Sequence, residues 1–250
     1  MKQIKKIQSQ CKQLRLSTIA AQVGDLAEQA AAESISYLEF TSRFLEAEII
    51  HREQRAQERK LKEATLPVKH QLEIFNCALI EGMPSVLLAQ LKELGWVDQL
   101  LNLIIMGPPG VGKTLLAAGL CHHAIIQGYT AFFRSMEQLM STLVKKDTNR
   151  SAAIEHRRLL KANLIVIDDI MMVNSDARKA NAFFHFINEI YEKASIVITT
   201  NKSPKEWVET LGDEVLTAAV LDRILHHAEV IKLAGESQRK INRKGGLRPL

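Results

Sequence analysis

The segment from Leu103 to Thr114 reads LIIMGPPGVGKT and constrains this chain more than any other stretch. Gly107, Pro108, Pro109, Gly110, Val111, Gly112, Lys113 and Thr114 fit the pattern GxxxxGK[ST], directly after an apolar run and directly before a helix-like one. The glycines let backbone N–H groups approach phosphate oxygens, and a helix N-terminus adds the positive end of its dipole. In such a turn Lys113 reaches the β- and γ-phosphates of a nucleotide, and the Thr114 hydroxyl binds Mg²⁺. A chance Gly-Lys turn would lack the flanking strand and helix. The segment therefore requires an α/β fold with a helix starting at the turn.

The rest of the chain from about residue 85 agrees. Five short apolar runs lie at 102–107, 129–134, 163–169, 195–201 and 228–233, with helix-like stretches between them. That alternation predicts a five-stranded parallel sheet covered on both faces. The third run, LIVI, ends in Asp168 and Asp169, and a carboxylate at that strand end is placed to hold the Mg²⁺ shell. Two adjacent acids at a strand end can also simply cap a helix. The fourth run ends at Asn201, and strand carboxyl ends line the ligand crevice of open α/β sheets. Ser203, Pro204 and Glu206 then read as a helix start, with Ser as cap and Pro at the first turn. Arg223 precedes the last run and Arg239 follows it. A planar, permanently charged guanidinium suits phosphate, although Asp222-Arg223 also reads as a surface pair and Arg239 as part of a basic tail.

Residues 1–66 read as a small all-helical N-terminal domain, 67–84 as a connector closed by Gly82 and Pro84, and 85–250 as the sheet domain with a basic tail. Between Ser36 and Lys62, Tyr37, Phe40, Phe44, Leu45 and Ile49 recur at three- and four-residue steps, which predicts one apolar helix face. The net charge of +5 over 250 residues conceals an asymmetry. Residues 1–23 carry Lys2, Lys5, Lys6, Lys12 and Arg15 without an acid, and residues 230–250 carry six basic side chains against Glu236. Basic ends on an acidic middle point to an anionic polymer or surface as partner. The candidates to neutralise such an anion, phosphates of a nucleic acid included, are Lys2, Lys5, Lys6, Lys12 and Arg15, with Arg243, Lys244 and Arg248 at the other end.

Other chemistry finds little support. Cys11, Cys77 and Cys121 are too isolated for a disulfide framework or a zinc site. His122-His123 and His226-His227 diverge on their helices, and no HExxH occurs. No apolar run approaches a membrane span and no signal-peptide core appears, so the expectation is a reducing, cytoplasmic setting without membrane.

Taken in order, these markers resemble an AAA+ ATPase, and the branch is narrower. GPPGVGKT, IDDI, TTNKSPKEW, the LDRI block and IKLAGESQR after a helical N-domain are similar to the IstB group, transposition helper ATPases of insertion sequences related to the DnaC helicase loaders. The likeness spans about residues 10–240. It implies a P-loop AAA+ fold, ATP and Mg²⁺, and a set of roles: Lys113 and Thr114 as Walker A, Asp168 and Asp169 as Walker B, Asn201 as sensor 1. It further implies Arg223 as an arginine finger acting on a neighbour's ATP and Arg239 as sensor 2. Asp169 stands where such ATPases usually place a Glu to orient the attacking water. Leu115 stands where His is frequent, and Gln238 where an aromatic or Met is commoner; neither departure touches phosphate.

The resemblance also implies homo-oligomers bridged by ATP, duplex DNA bound with little sequence preference, and the transposase of the same element as partner. In initiator-type AAA+ proteins the end of the helix after the second strand often faces the central channel, which adds Lys145 and Lys146 to the DNA-contact candidates. Two rival readings share the ATP chemistry: a DnaC-like helicase loader, and a nucleotide-gated DNA scaffold in which hydrolysis is incidental. Pull-down with a transposase or a helicase separates the first. The shorter Asp169 keeps the second open.

Overall fold

The computed structural model describes residues 2–68, 70–170, 177–202, 206–207, 214–235 and 237. Contacts divide the chain into two compact units, with the division after Arg59. An N-terminal helical region is followed by a five-stranded parallel sheet of the P-loop AAA+ type.

The first unit is built from α1 (Lys2–Gln13), α2 (Ser17–Glu33) and the first part of α3 (Tyr37–Ala64). On α1, Ile4, Ile7 and Cys11 fall on one face at helical spacing, which turns Lys2, Lys5, Lys6 and Lys12 to the exposed side. Cys11 buries against Ile19 and Ala20 of α2, with Ile7, Leu16 and Phe44 packed around them. A carboxylate completes this small core. Glu48 is only 4% exposed. It accepts the Thr18 and Ile19 N–H groups at 3.0 and 3.3 Å, orphan donors of the first turn of α2. Arg52 donates to its other oxygen at 3.0 Å and to the Arg15 carbonyl at 2.7 Å. Burial alone would raise the Glu48 pKa, but Arg52 and the two N–H donors bring it below the ordinary value.

The apolar face expected on α3 is split. Phe44 packs inward, Phe40 lies 5.8 Å from it between ring centroids, and Glu48 continues that face. Tyr37, at 94% exposed, points to solvent, as do Leu45 and Ile49. At one turn per 3.6 residues Leu45 and Ile49 are rotated about 100° and 140° from Phe44, whereas Tyr37 shares the Phe44 side but opens the helix, outside the packed cluster.

In the second unit the strands are β1 (Asn102–Met106), β2 (Ala131–Ser135), β3 (Leu164–Asp168), β4 (Ser195–Thr200) and β5 (Ala228–Lys232). They run parallel in the order β2-β3-β4-β1-β5. The side-chain period of two sends alternate residues to opposite faces. Leu103, Ile105, Leu164 and Val166 face one layer with α6 (Lys113–Ile126). Ile104, Ile165 and Ile167 face the other, with α7 (Met136–Lys145), α8 (Arg150–Leu159), α9 (Ala177–Ile190) and α10 (Glu214–His226). Before β1 lie the short α4 (Ser85–Lys92) and α5 (Gly95–Asp98).

Residues 67–84 include two 3₁₀ turns, Leu72–Ile74 and Cys77–Leu79, and they pack on the sheet domain rather than merely spanning a gap. Leu72 lies so close to α6 that a Cβ at Gly119 would meet it at 2.5 Å. Arg134, 6% exposed on β2, donates to the Glu63 and Ala64 carbonyls at 3.0 and 2.8 Å and pairs with Glu155. It thereby satisfies the last carbonyls of α3, which stops at Thr65 in the left-handed region, with Pro67 just beyond. Among the described residues no helix is long and apolar enough to cross a membrane.

Candidate functional site

The site gathers at the carboxyl ends of β1, β3 and β4. Because β4 lies between β1 and β3, its end stands between the glycine-rich turn and the acidic pair. The Gly107 N–H donates to the Thr200 carbonyl at 3.2 Å, which ties the turn to β4. Gly110 and Gly112 have φ of +87° and +106°, the left-handed region that favours glycine. At Gly110 a side chain is excluded twice over, since a Cβ would lie 2.2 Å from the Ser237 hydroxyl oxygen. Gly112 then caps α6, and Lys113 and Thr114 form its first turn.

Two contacts define the chemistry. The Thr114 hydroxyl lies 3.0 and 3.2 Å from the two Asp168 carboxylate oxygens, joining the turn after β1 to the end of β3. The Lys113 ammonium donates to the Gly107 and Pro108 carbonyls at 2.8 and 3.0 Å, so it lies along the turn it would serve. Burial raises the pKa of Asp168, while hydroxyl donors and the nearby Lys113 charge oppose that shift. A hydroxyl and a carboxylate side by side are hard oxygen donors of the kind Mg²⁺ takes alongside phosphates. Among the described residues no group of three or more His, Cys, Asp or Glu side chains forms a closed metal cage.

The sequence reading missed Thr199. This residue of β4 is 1% exposed. Its hydroxyl donates to Asp168 at 2.6 Å and accepts the Asp169 N–H at 2.8 Å. The signal in the sequence was a hydroxyl inside an otherwise apolar buried strand, where an unbonded polar group is costly. Asp169 itself is exposed and has φ of +53°, an uncommon conformation for a residue with a side chain. Asn201 follows β4 directly and is exposed, next to a turn in which the Lys202 N–H donates to Thr200 at 3.0 Å. Leu115 lies within α6, partly buried against the core on that face.

Arg223 stands apart. It sits on α10 shortly before β5, at the amino ends of the strands, where Asn102 of β1 donates to the neighbouring Ile224 carbonyl at 3.0 Å. Its guanidinium lies 5.5 Å from the Phe184 ring centroid and donates to the Ala219 carbonyl. Within one chain it is not part of the Lys113–Asp168 cluster. Lys2, Lys5, Lys6, Lys12 and Arg15 are exposed; Lys145 is exposed and Lys146 half-buried at the end of α7. Arg239, Arg243, Lys244, Arg248, Gln238 and the helix start at 203–205 lie outside the described residues.

Comparison with known proteins gives a consistent result. The family profile described as IstB-like ATP binding protein matches residues 9–245. An insertion-sequence IS21-like ATP-binding protein of Bacteroides fragilis is 37% identical over 244 residues, covering 98% of this chain and 93% of that protein. The IS21 ATP-binding protein of Pseudomonas aeruginosa is 37% identical over 235 residues, covering 94% and 89%. Among solved structures, DnaI aligns with a TM-score of 0.57 at 17% identity, over 66% of this chain and 92% of that one. AMPPCP-bound DnaA from Aquifex aeolicus aligns with a TM-score of 0.54 at 21% identity, over 74% and 58%. Identities this low mark a shared fold.

Proposed function

The chain belongs to the IstB-like ATP-binding family, and from that premise we propose that it is an AAA+ ATPase that serves DNA transposition by assembling on duplex DNA with ATP between its subunits. Family membership makes it an ATP-dependent AAA+ protein with ATPase activity and a role in transposition or DNA loading. The observation that carries the finer reading is the Thr114–Asp168 contact beside Lys113, which assembles the phosphate-binding turn and an acidic strand end into one cluster.

In this reading the backbone N–H groups of Gly110 to Lys113 cradle the β-phosphate and Lys113 pairs with the β- and γ-oxygens. Thr114 and Asp168 would hold Mg²⁺, which when bound offsets charge on the phosphates. Asp169 and Asn201 orient a water towards the γ-phosphorus. The water oxygen bonds to phosphorus as the bond to the β-bridging oxygen breaks, and the water's proton leaves through Asp169. Arg223, remote from its own cluster, acts on the ATP of a neighbouring subunit, and Arg239 contacts the nucleotide within the chain. The exposed lysines of α1, with Lys145, Lys146, Arg243 and Lys244, neutralise DNA phosphates without reading bases. The transposase of the same element is the protein partner.

A scaffold reading, in which ATP binding drives assembly and hydrolysis is incidental, draws support from Asp169, one methylene shorter than Glu. Turnover separates the two. With random-sequence duplex present, Lys113→Ala should lower ATP hydrolysis by about 10²–10³-fold, the order seen when one charge-stabilising donor is removed. Asp169→Asn should abolish turnover while nucleotide binding persists. An Asp169→Asn chain that loses turnover yet still assembles on DNA with ATP and supports transposition as the parent does would favour the scaffold; unchanged hydrolysis in it would remove Asp169 from the water-orienting role.

A further inference from the structure

One hydroxyl serves both acids of the site. Thr199 Oγ1 donates to the Asp168 carboxylate at 2.6 Å and accepts the Asp169 N–H at 2.8 Å. The Thr199 carbonyl takes the Ile170 N–H at 3.0 Å, so the turn leaving β3 is bent around this single residue of β4. Thr200, the next residue, does something different: its hydroxyl closes the local turn at Lys202. Successive strand residues point to opposite faces, so only Thr199 is directed at the acids.

The arrangement has a consequence for Asp168. Its oxygens accept from two hydroxyls, Thr114 and Thr199. A cation held by Thr114 and Asp168 together would take both oxygens as donors, and the Thr114–Asp168 hydrogen bond would give way to it. The Thr199 bond needs no such change and continues to set the direction of the carboxylate. Its donor is well fixed: Thr199 is 1% exposed, and a β-branched side chain has few rotamers to explore. Asp169 depends on the same oxygen. A left-handed conformation is unfavourable for a non-glycine residue, and the N–H bond to Thr199 helps to hold Asp169 in it.

We propose that Thr199 is the positioning residue of this site, its hydroxyl orienting the Asp168 carboxylate towards the cation and holding the turn that presents Asp169 to the water. The proposal rests on the ATPase reading above and adds to it a residue that touches neither nucleotide nor water. Partners that orient a ligand in this way typically change metal affinity or activity about 10–100-fold when removed.

The test uses the full chain with Thr199→Val, which keeps the shape and removes the hydroxyl, and Thr199→Ser, which restores it. Thermal melting establishes that each variant is folded. Mn²⁺, a paramagnetic stand-in for Mg²⁺, is titrated into protein saturated with a non-hydrolysable ATP analogue. Analogue affinity in EDTA and steady-state ATP turnover complete the set. Thr199→Val should bind Mn²⁺ at least about tenfold more weakly and turn over ATP about 10–100-fold more slowly. It should bind the analogue in EDTA as the parent does, and Thr199→Ser should recover most of both losses. A folded Val variant with parental Mn²⁺ affinity and turnover overturns the proposal, and so does a folded Ser variant that loses both. If Val fails to fold, Thr199→Ala, which also lacks the hydroxyl, takes its place with the same expected losses and the same overturning result. A parent chain that binds no analogue would instead sink the ATPase reading itself.

Discussion

In the helical unit, the buried apolar cluster among the described residues consists of Cys11, Ile19 and Ala20, with three partly buried neighbours. In the sheet unit both faces of the sheet carry continuous apolar layers, from Leu103 and Leu116 on one side to Ile104, Phe183 and Phe186 on the other. The first unit compensates with a polar clamp, Glu48 and Arg52 on the corner between α1 and α2. The second buries polar groups as well, Arg134 and Asn102 among them, but on top of continuous apolar layers, and it places Thr199 and Asp168 at the strand ends. A small domain buries too little apolar surface to be held by packing alone, whereas a covered parallel sheet is held by packing and can spare strand ends for chemistry.

That contrast can be broken in order of effect. The largest change should come from Phe186→Ala, which empties a fully buried site against α10 and the sheet. It should cost the sheet unit about 3–5 kcal/mol, read as a fall in the urea midpoint. A loss below 1 kcal/mol would mean the layer is not continuous there. Next comes Glu48→Ala, which leaves the Thr18 and Ile19 N–H groups without their acceptor and should cost the helical unit about 1–3 kcal/mol. Amide exchange should quicken across α1 and α2 and stay unchanged in the strands. Faster exchange throughout would contradict the separation of the two units.

The smallest effect is a response to pH. His156, on α8, is buried beside Lys146, and both influences lower its pKa, although Glu189 and Asp147 oppose them. Burial also lowers the pKa of His122 on α6. For a lowered histidine the unfolded chain takes up the proton first. Stability therefore falls as pH drops through the ordinary range near 6.5 and levels off below the folded-state values. The thermal midpoint of the sheet unit should fall modestly between pH 7.5 and 5.5. A midpoint that rises over that interval would contradict the assignment.

Much of this was legible in the sequence because it is local. Each of the five apolar runs became a strand within a residue or two, and the glycine pattern at 107–112 announced a turn whose φ values demand it. Asp168 could be placed because a strand end and an acid are adjacent in the chain. Thr199 could not, because its two partners come from another strand and its hydroxyl looks like any polar residue near a strand end. The buried Arg134 was hidden for a similar reason: its acceptors are carbonyls of residues some 70 positions earlier, and backbone atoms leave no trace in a sequence. The split face of α3 shows the converse failure. Regular spacing of Tyr37, Leu45 and Ile49 looked like a core stripe, yet the inner face includes a carboxylate.

Both units meet in one function only if nucleotide and DNA act together. Sedimentation of the full chain on random-sequence duplex DNA, with and without ATP and Mg²⁺, tests this most directly. A multimer should form on DNA only with ATP and be lost in Lys113→Ala. Weaker binding at higher salt should accompany it, since phosphate neutralisation releases counterions. A chain that stays monomeric with both ligands present, or that coats DNA equally well without ATP, would contradict it.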